Sequence, residues 1–272
     1  MISVLNSVSQ LGAENALSST QASLQNTLLQ LSTGLKINSG ADDAAGLSIA
    51  AGLGANIAAL TQSSQNASNG VGLLQTADGA LSQVTSLLNK AVTLATEAAN
   101  GQLTAAQSTA ADTAYQSILT EITQIGSTTN FNGTAVFSAA PVTTFTSDGT
   151  VGGTATVSTT TGALSSTTLV LNATDLTSVA KATAALTAIT AAINTVAGVR
   201  GTIGASVNQL TADTSVQNTE VTNLTGAQNN VQNADIGTTV AKMTQYNVLE
   251  QTGMAALSQS NQAQQAVLKL LQ

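Results

Sequence analysis

Leu53, Leu60, Ala67, Leu74, Leu81, Leu88 and Ala95 recur at intervals of seven residues with no polar residue among them. Seven residues are close to two helical turns, so this row faces one direction along its whole length and needs another helix to cover it. A strand cannot use the pattern, because its side chains alternate faces and an odd spacing would split the row. Ile57, Val71 and Val92 widen the stripe, and Asn100-Gly101 supplies a left-handed stop. The spacing predicts one helix over 43–99, far longer than an ordinary globular helix.

The C-terminal half carries a matching pattern. Val179, Leu186, Ile193, Val207 and Val221 share one heptad phase, and Ile189, Val196, Ile203, Leu210, Leu224 and Val231 share the other. A helix over 176–231 follows, with Asp175 as its cap, and Thr104 is placed to cap a shorter helix over 104–126. The inner seam is expected at Leu53, Leu60, Leu74, Leu81, Leu88, Leu186, Ile193, Ile203, Leu210 and Leu224.

Both ends continue the theme. Leu17, Leu24 and Leu31 repeat every seven residues with Leu28 and Leu35 interleaved, and Leu249, Ala256, Ala263 and Leu270 stay in phase near the other end. Two thin terminal seams have little to lean on within one chain. They are expected to order on packing against other copies, through Leu17, Leu24, Leu28, Leu31, Leu35, Leu249, Leu257, Val267, Leu268 and Leu271. Between the halves, 127–175 holds Asn132-Gly133, Asp148-Gly149, Gly152-Gly153, the single proline, and Val/Thr runs such as TATVSTTT and TTLVLNA, read as β-hairpins. The expected fold is mainly α: a long antiparallel helical bundle or coiled coil formed by the N- and C-terminal halves, with a small β-hairpin region in the middle. Its divisions are 1–42, 43–234 and 235–272.

Composition limits the chemistry. The chain has no His, no Cys and no Trp, so the common nucleophile–base pairs and the imidazole or thiolate metal ligands are missing. No catalytic residue, cofactor site or metal site is expected, and the chain does not read as an enzyme. Asp42-Asp43 is the best carboxylate pair and reads as an acidic helix start. The two close glycines of Gly52–Asn56 lie inside a helical seam without the strand a phosphate loop requires. Net charge is −7, and the six basic residues Lys36, Lys90, Lys181, Arg200, Lys242 and Lys269 are scattered, which leaves no footprint for nucleic acid. The first residues lack the basic leader and long apolar run of a secretory signal, and no stretch is a continuous apolar run of membrane length. No membrane insertion is expected.

The residues now described carry a resemblance. LSTGLKINSGADDAAGLSIA (Leu31–Ala50), NFNG (Asn130–Gly133), VRGTIGASVNQL (Val199–Leu210) and the tail ending ALSQSNQAQQAVLKLLQ resemble the conserved ends of bacterial flagellins, in the same order. Lys36 and Gln272 stand where that pattern usually has arginine. The resemblance implies a flagellar filament subunit, a helical homopolymer secreted unfolded through the type III apparatus. Residues 1–42 and 235–272 would form an inner tube (D0), and 43–234 a surrounding layer (D1). Outer domains would be missing. Export chaperone, filament cap and hook-junction proteins are its implied partners. The resemblance also implies an innate-receptor surface, of which Lys90 and Leu94 remain while Val92, Thr93 and Ala114 replace charged residues. A hook–filament junction protein and a cell-surface carbohydrate-binding flagellin homologue are the alternative readings.

Overall fold

The computed structural model describes residues 2–147, 149 and 155–270. Among them are five helices and two small antiparallel strand pairs, in the order α1 (Ile2–Thr33), α2 (Ala44–Ala99), α3 (Ala105–Thr128), β1 (Asn130–Phe131), β2 (Thr134–Ala135), β3 (Val142–Thr146), β4 (Ala155–Thr159), α4 (Val179–Gln232) and α5 (Ile236–Leu270). Asp148, Gly152-Gly153 and Leu271 lie outside the described residues, as do the side chains of Val267 and Leu268. Two compact units divide the chain: Met1–Ala55 with Leu224–Gln272, and Asn56–Asn223.

In the first unit α1 and α5 run antiparallel. Leu17 lies against Gly253, where a Cβ would sit 3.3 Å from its Cδ1. Gln21 Nε2 donates to Glu250 Oε1 at 3.1 Å, and Leu35 bridges to Asn233. Gly34, at φ +72, ends α1 in the left-handed region. The chain beyond it is pinned by Lys36 N donating to the Gln232 carbonyl at 2.7 Å and Ala234 N to the Gly34 carbonyl at 2.9 Å. The turn into α2 is held by carboxylates. Asp42 Oδ2 accepts from the backbone N–H groups of Asn38 and Ser39 and from the Ser39 hydroxyl, and Asp43 Oδ1 accepts from Gly46 N. A Cβ on Gly46 would come within 2.5 Å of Asp43 Oδ2 and 2.7 Å of Ile37 Cδ1, so a larger residue here displaces those side chains.

The second unit holds the core. Leu60, Ala67, Leu74, Leu81, Leu88 and Ala95 are buried, and a second row, Ala77, Val84, Ala91 and Ala98, is buried beside them. From Ala67 onward they share one core cluster with Tyr115, Leu119 and Ile122 of α3 and Ala182, Ala185, Ile189, Ala192, Val196, Ile203 and Leu210 of α4. Half of these ten α2 residues are alanine, so the seam alternates small and large side chains. Of the two phases in α4, the one with Ile189, Val196, Ile203 and Leu210 is buried. Leu186 and Ile193 pack half-buried at its margin, and Val179 is exposed. α2 and α4 are antiparallel across Ser64–Asn218 and Asp78–Arg200.

The middle region departs from expectation in two places. TTLVLNA is a series of turns and not a strand. Ser165 and Thr168 exchange backbone and hydroxyl hydrogen bonds, Val170 takes φ +57, and Leu169 N and Leu171 N donate back to the Ser165 and Ser166 carbonyls. The apolar residues still go inward, because Leu164, Leu169, Leu171 and Leu176 are buried. This segment docks on α3 at Gly126, where a Cβ would overlap the Leu164 carbonyl. Asp112 Oδ1 accepts from Leu176 N, and the Tyr115 hydroxyl pairs with Thr174 Oγ1 at 2.5 Å. Desolvation raises the Tyr115 pKa above its usual range.

The second departure is the cap of α4. The Ser178 hydroxyl accepts from Lys181 N at 3.4 Å, while Asp175 lies upstream, accepting from Thr177 and paired with Lys181 at 2.8 Å. α3, by contrast, starts on a full capping box between Thr104 and Gln107.

β1 and β2 form a tight hairpin with Phe131 opposite Thr134, and β3 pairs with β4 from Val142–Thr159 to Thr146–Ala155. The β3–β4 hairpin is fastened by a buried polar node. Ser63 Oγ accepts from Ser147 N at 2.7 Å and from Gln217 Nε2 at 2.8 Å, and Gln217 Oε1 has no partner among the described residues.

Candidate assembly surface

The α1–α5 pair covers only one face of each helix. Leu17, Leu24, Leu31 and Leu35 of α1 and its exit are half-buried on the side toward the partner strand of chain, with Thr27 buried among them. On α5, Met243, Tyr246, Gly253 and Leu257 are likewise half-buried. The rest of the surface of the pair keeps large apolar side chains in solvent: Val8, Leu11, Leu28 and Leu29 on α1, and Ile236, Val240, Val248, Leu249 and Met254 on α5, all between 39% and 64% exposed. Scattered exposed leucines are ordinary, but nine large apolar side chains on two paired helices leave an unusually apolar surface.

The ten residues expected at the assembly interface therefore fall into three sets. Leu28 and Leu249 are exposed. Leu17, Leu24, Leu31, Leu35 and Leu257 are half-buried, and the first four belong to the stretch that meets α5 and the chain just before it. Val267, Leu268 and Leu271 lie outside the described side chains. Sequence reasoning missed Val8, Leu11, Leu29, Ile236, Val240, Val248 and Met254. The Leu28-Leu29 and Val248-Leu249 doublets were the available signal, since adjacent residues point about 100° apart and both cannot face one partner helix. Of the inner-seam residues, Leu53 and Leu224 sit in the first compact unit and are half-buried. Lys90 is exposed on α2, and Leu94 packs half-buried against the core.

Charge plays a local role. Arg200 grips Asp78 with Nε–Oδ1 at 2.7 Å and Nη2–Oδ2 at 3.2 Å, which lowers the Asp78 pKa and raises that of Arg200. Hydrogen bonds from Lys181 and Thr177 bring Asp175 down to about 2. Backbone N–H groups of Asn38 and Ser39 hold Asp42 below its ordinary value. Among the described residues no three Asp or Glu side chains gather as metal ligands would. A hollow of about 360 Å³ beside α3 is lined by neutral groups, including Gln116, Thr120, Thr123 and Asn172. α2 and α4 each contain an 18-residue window of mean hydropathy 1.5, long and apolar enough to cross a membrane by length and composition alone. In both, polar Ser, Thr, Asn and Gln interrupt the apolar residues.

Paired helices from the two ends of the chain, with large apolar side chains left in solvent, and a separate helical core define a mainly α class of protein built from long helices. The sequence matches the bacterial flagellin N-terminal helical region over residues 4–141 and the bacterial flagellin C-terminal helical region over residues 186–271, so the chain belongs to the bacterial flagellin family. A flagellin of Serratia marcescens is 40% identical over 140 residues, covering 51% of this chain and 40% of that protein. The phase 1 flagellin of Salmonella naestved is 39% identical over 133 residues, covering 49% of this chain and 26% of that protein. The matched part thus spans less than half the length of either relative. The crystal structure of Bacillus cereus flagellin superimposes on 56% of this chain and 88% of its own, at 28% identity and a TM-score of 0.49.

Proposed function

We propose that this chain is the structural subunit of an extracellular bacterial flagellar filament, assembling with copies of itself through its terminal helices. The observation that carries the reading is the exposed apolar face of the α1–α5 pair, on a chain of the flagellin family. Contacts of one surface with a different surface on the next copy propagate without closing, which gives a helical polymer. In this reading 1–42 and 235–272 form the inner D0 tube, 43–234 form the D1 layer, and the β3–β4 region lies outward. Export through the type III apparatus, with a chaperone, a filament cap and junction proteins as partners, belongs to the same proposal. The chemistry is mechanical and not catalytic.

The test is electron microscopy of purified protein after seeding or salting-out. Wild type gives filaments. Leu28→Asp and Leu249→Asp place a charge in an apolar contact and abolish them, with far-ultraviolet circular dichroism unchanged because neither residue is in the core. Normal filament yield from both variants refutes the assignment of this face.

A further inference from the structure

Three Asn-Gly pairs occur in this chain, at Asn69-Gly70, Asn100-Gly101 and Asn132-Gly133, and the fold treats them very differently. We infer that Asn132 is a site of spontaneous backbone-assisted deamidation, a self-modification that converts the tip of the β1–β2 hairpin to a mixture of aspartate and isoaspartate. In the first step the Gly133 backbone nitrogen loses its proton and attacks Asn132 Cγ. An N–C bond forms, the Cγ–Nδ2 bond breaks, and ammonia leaves with a proton, closing a five-membered succinimide. Water then opens the ring at either carbonyl. Opening at the original side-chain carbon restores the main chain as aspartate, and opening at the α-carbonyl routes the main chain through the side chain as isoaspartate. No oxidant, reductant or catalyst is consumed, and the only co-reactant is water.

The geometry favours Asn132 on four counts. Glycine carries no side chain to hinder its nitrogen, and nothing lies within 4 Å of where a Gly133 Cβ would be. Asn132 and Gly133 form the two-residue connection, at φ 49 and φ 79, outside the paired positions Phe131–Thr134, so the Gly133 N–H is not committed to the ladder. Both residues are exposed, and the Asn132 carboxamide makes no hydrogen bond among the described residues. Finally, each flanking strand is only two residues long, so the rotation that carries Cγ over the glycine nitrogen disturbs little structure.

Asn69 is the opposite case. It lies inside α2, and Gly70 is buried where a Cβ would come within 2.5 Å of Thr144 Oγ1 and 3.3 Å of Leu210. Its backbone cannot rotate without opening the helix beneath the β3–β4 hairpin. Asn100 falls between them. It is exposed, but its N–H donates to the Glu97 carbonyl at 3.3 Å, and Gly101 lies against Val179.

The test is peptide mapping by mass spectrometry, with isoaspartyl methyltransferase labelling, of full-length protein incubated at mildly alkaline pH. In the native protein the Asn132 peptide gains acid and isoaspartate first. Asn100 follows, and Asn69 lags Asn132 by at least about tenfold because reaction there requires prior local opening. In denaturant the three rates converge, since all share the same dipeptide. Asn132→Gln removes the label from that peptide. Native rates at Asn132 no faster than at Asn69, or label persisting on the Asn132→Gln peptide, overturn the inference.

Discussion

The α1–α5 pair and the inner bundle are written in the same alphabet of leucine, valine and alanine at heptad spacing, yet they end in different states. Inside the bundle, Leu74, Leu81 and Leu88 are at most 2% exposed, because they share one core cluster with residues of α4, of α3 and of the loop that α3 anchors. In the outer pair the leucines that meet the other helix are only half-buried, and Leu29 remains 49% exposed. Two helices alone cover one stripe each. Three or more elements close a core. The pattern in a sequence therefore specifies that a seam exists, and the number of neighbouring elements decides how dry it becomes.

This contrast breaks first under identical truncations. Leu81→Ala should cost the isolated protein about 2–5 kcal/mol in denaturant unfolding, the range for a large core deletion. Leu17→Ala, the same chemical change in the α1–α5 pair, should cost less than about 1.5 kcal/mol, because that side chain is only partly buried. Equal losses at the two positions would erase the distinction. Partial proteolysis of the monomer offers a coarser view: cleavage should begin within 1–35 and 250–272 and leave a fragment near 45–230.

Next in size is Gly126→Ala. The new methyl group has no room beside the Leu164 carbonyl, so the 160–176 segment must lift from α3. A loss of about 1–3 kcal/mol is expected by thermal unfolding, without loss of the α2–α4 pairing. Retention of full stability would mean that the segment docks elsewhere.

The smallest effect is electrostatic. Asp78 and Asp175 have folded-state pKa values below those of the unfolded chain, so their stabilisation is complete above about pH 4 and disappears as the pH falls through their folded values, to about 2 for Asp175. Asp78→Asn should reduce stability at neutral pH by no more than about 1 kcal/mol, because both partners are more than a third exposed. It should also flatten part of the acid limb of a stability–pH curve. An unchanged acid limb would show that the Asp78–Arg200 pair is not formed in solution.

How much of this was legible beforehand follows the same division. The α2 row from Leu60 to Ala95 is a helical period without competition, and the structure buries it. The Leu169–Leu171 alternation looked like a strand because β-branched and apolar residues alternate there. Local hydroxyl bonds at Ser165 and Thr168 and the gap at Gly126 allowed a turn to bury the same leucines. The Asp78–Arg200 grip spans 122 residues and has no local signature. Nor did the heptads reveal that Leu17 would lie beside Gly253 of α5. Register between distant helices is a property of the assembled pair and cannot be read along one of them.

Many of the threonines on these helices turn their hydroxyls back to the carbonyl four residues earlier, as Thr20 does to Ala16, Thr61 to Ile57, Thr202 to Gly198 and Thr211 to Val207. A hydroxyl used in this way leaves its methyl group outermost. Helix faces that look hydrophilic in composition are then partly clad in hydrocarbon, on a chain with only 7% charged residues. Solvent quality, more than ionic attraction, should govern how such surfaces meet. Modest changes in sodium chloride would leave association nearly untouched, whereas sulfate or phosphate, which are excluded from protein surfaces, would drive it strongly.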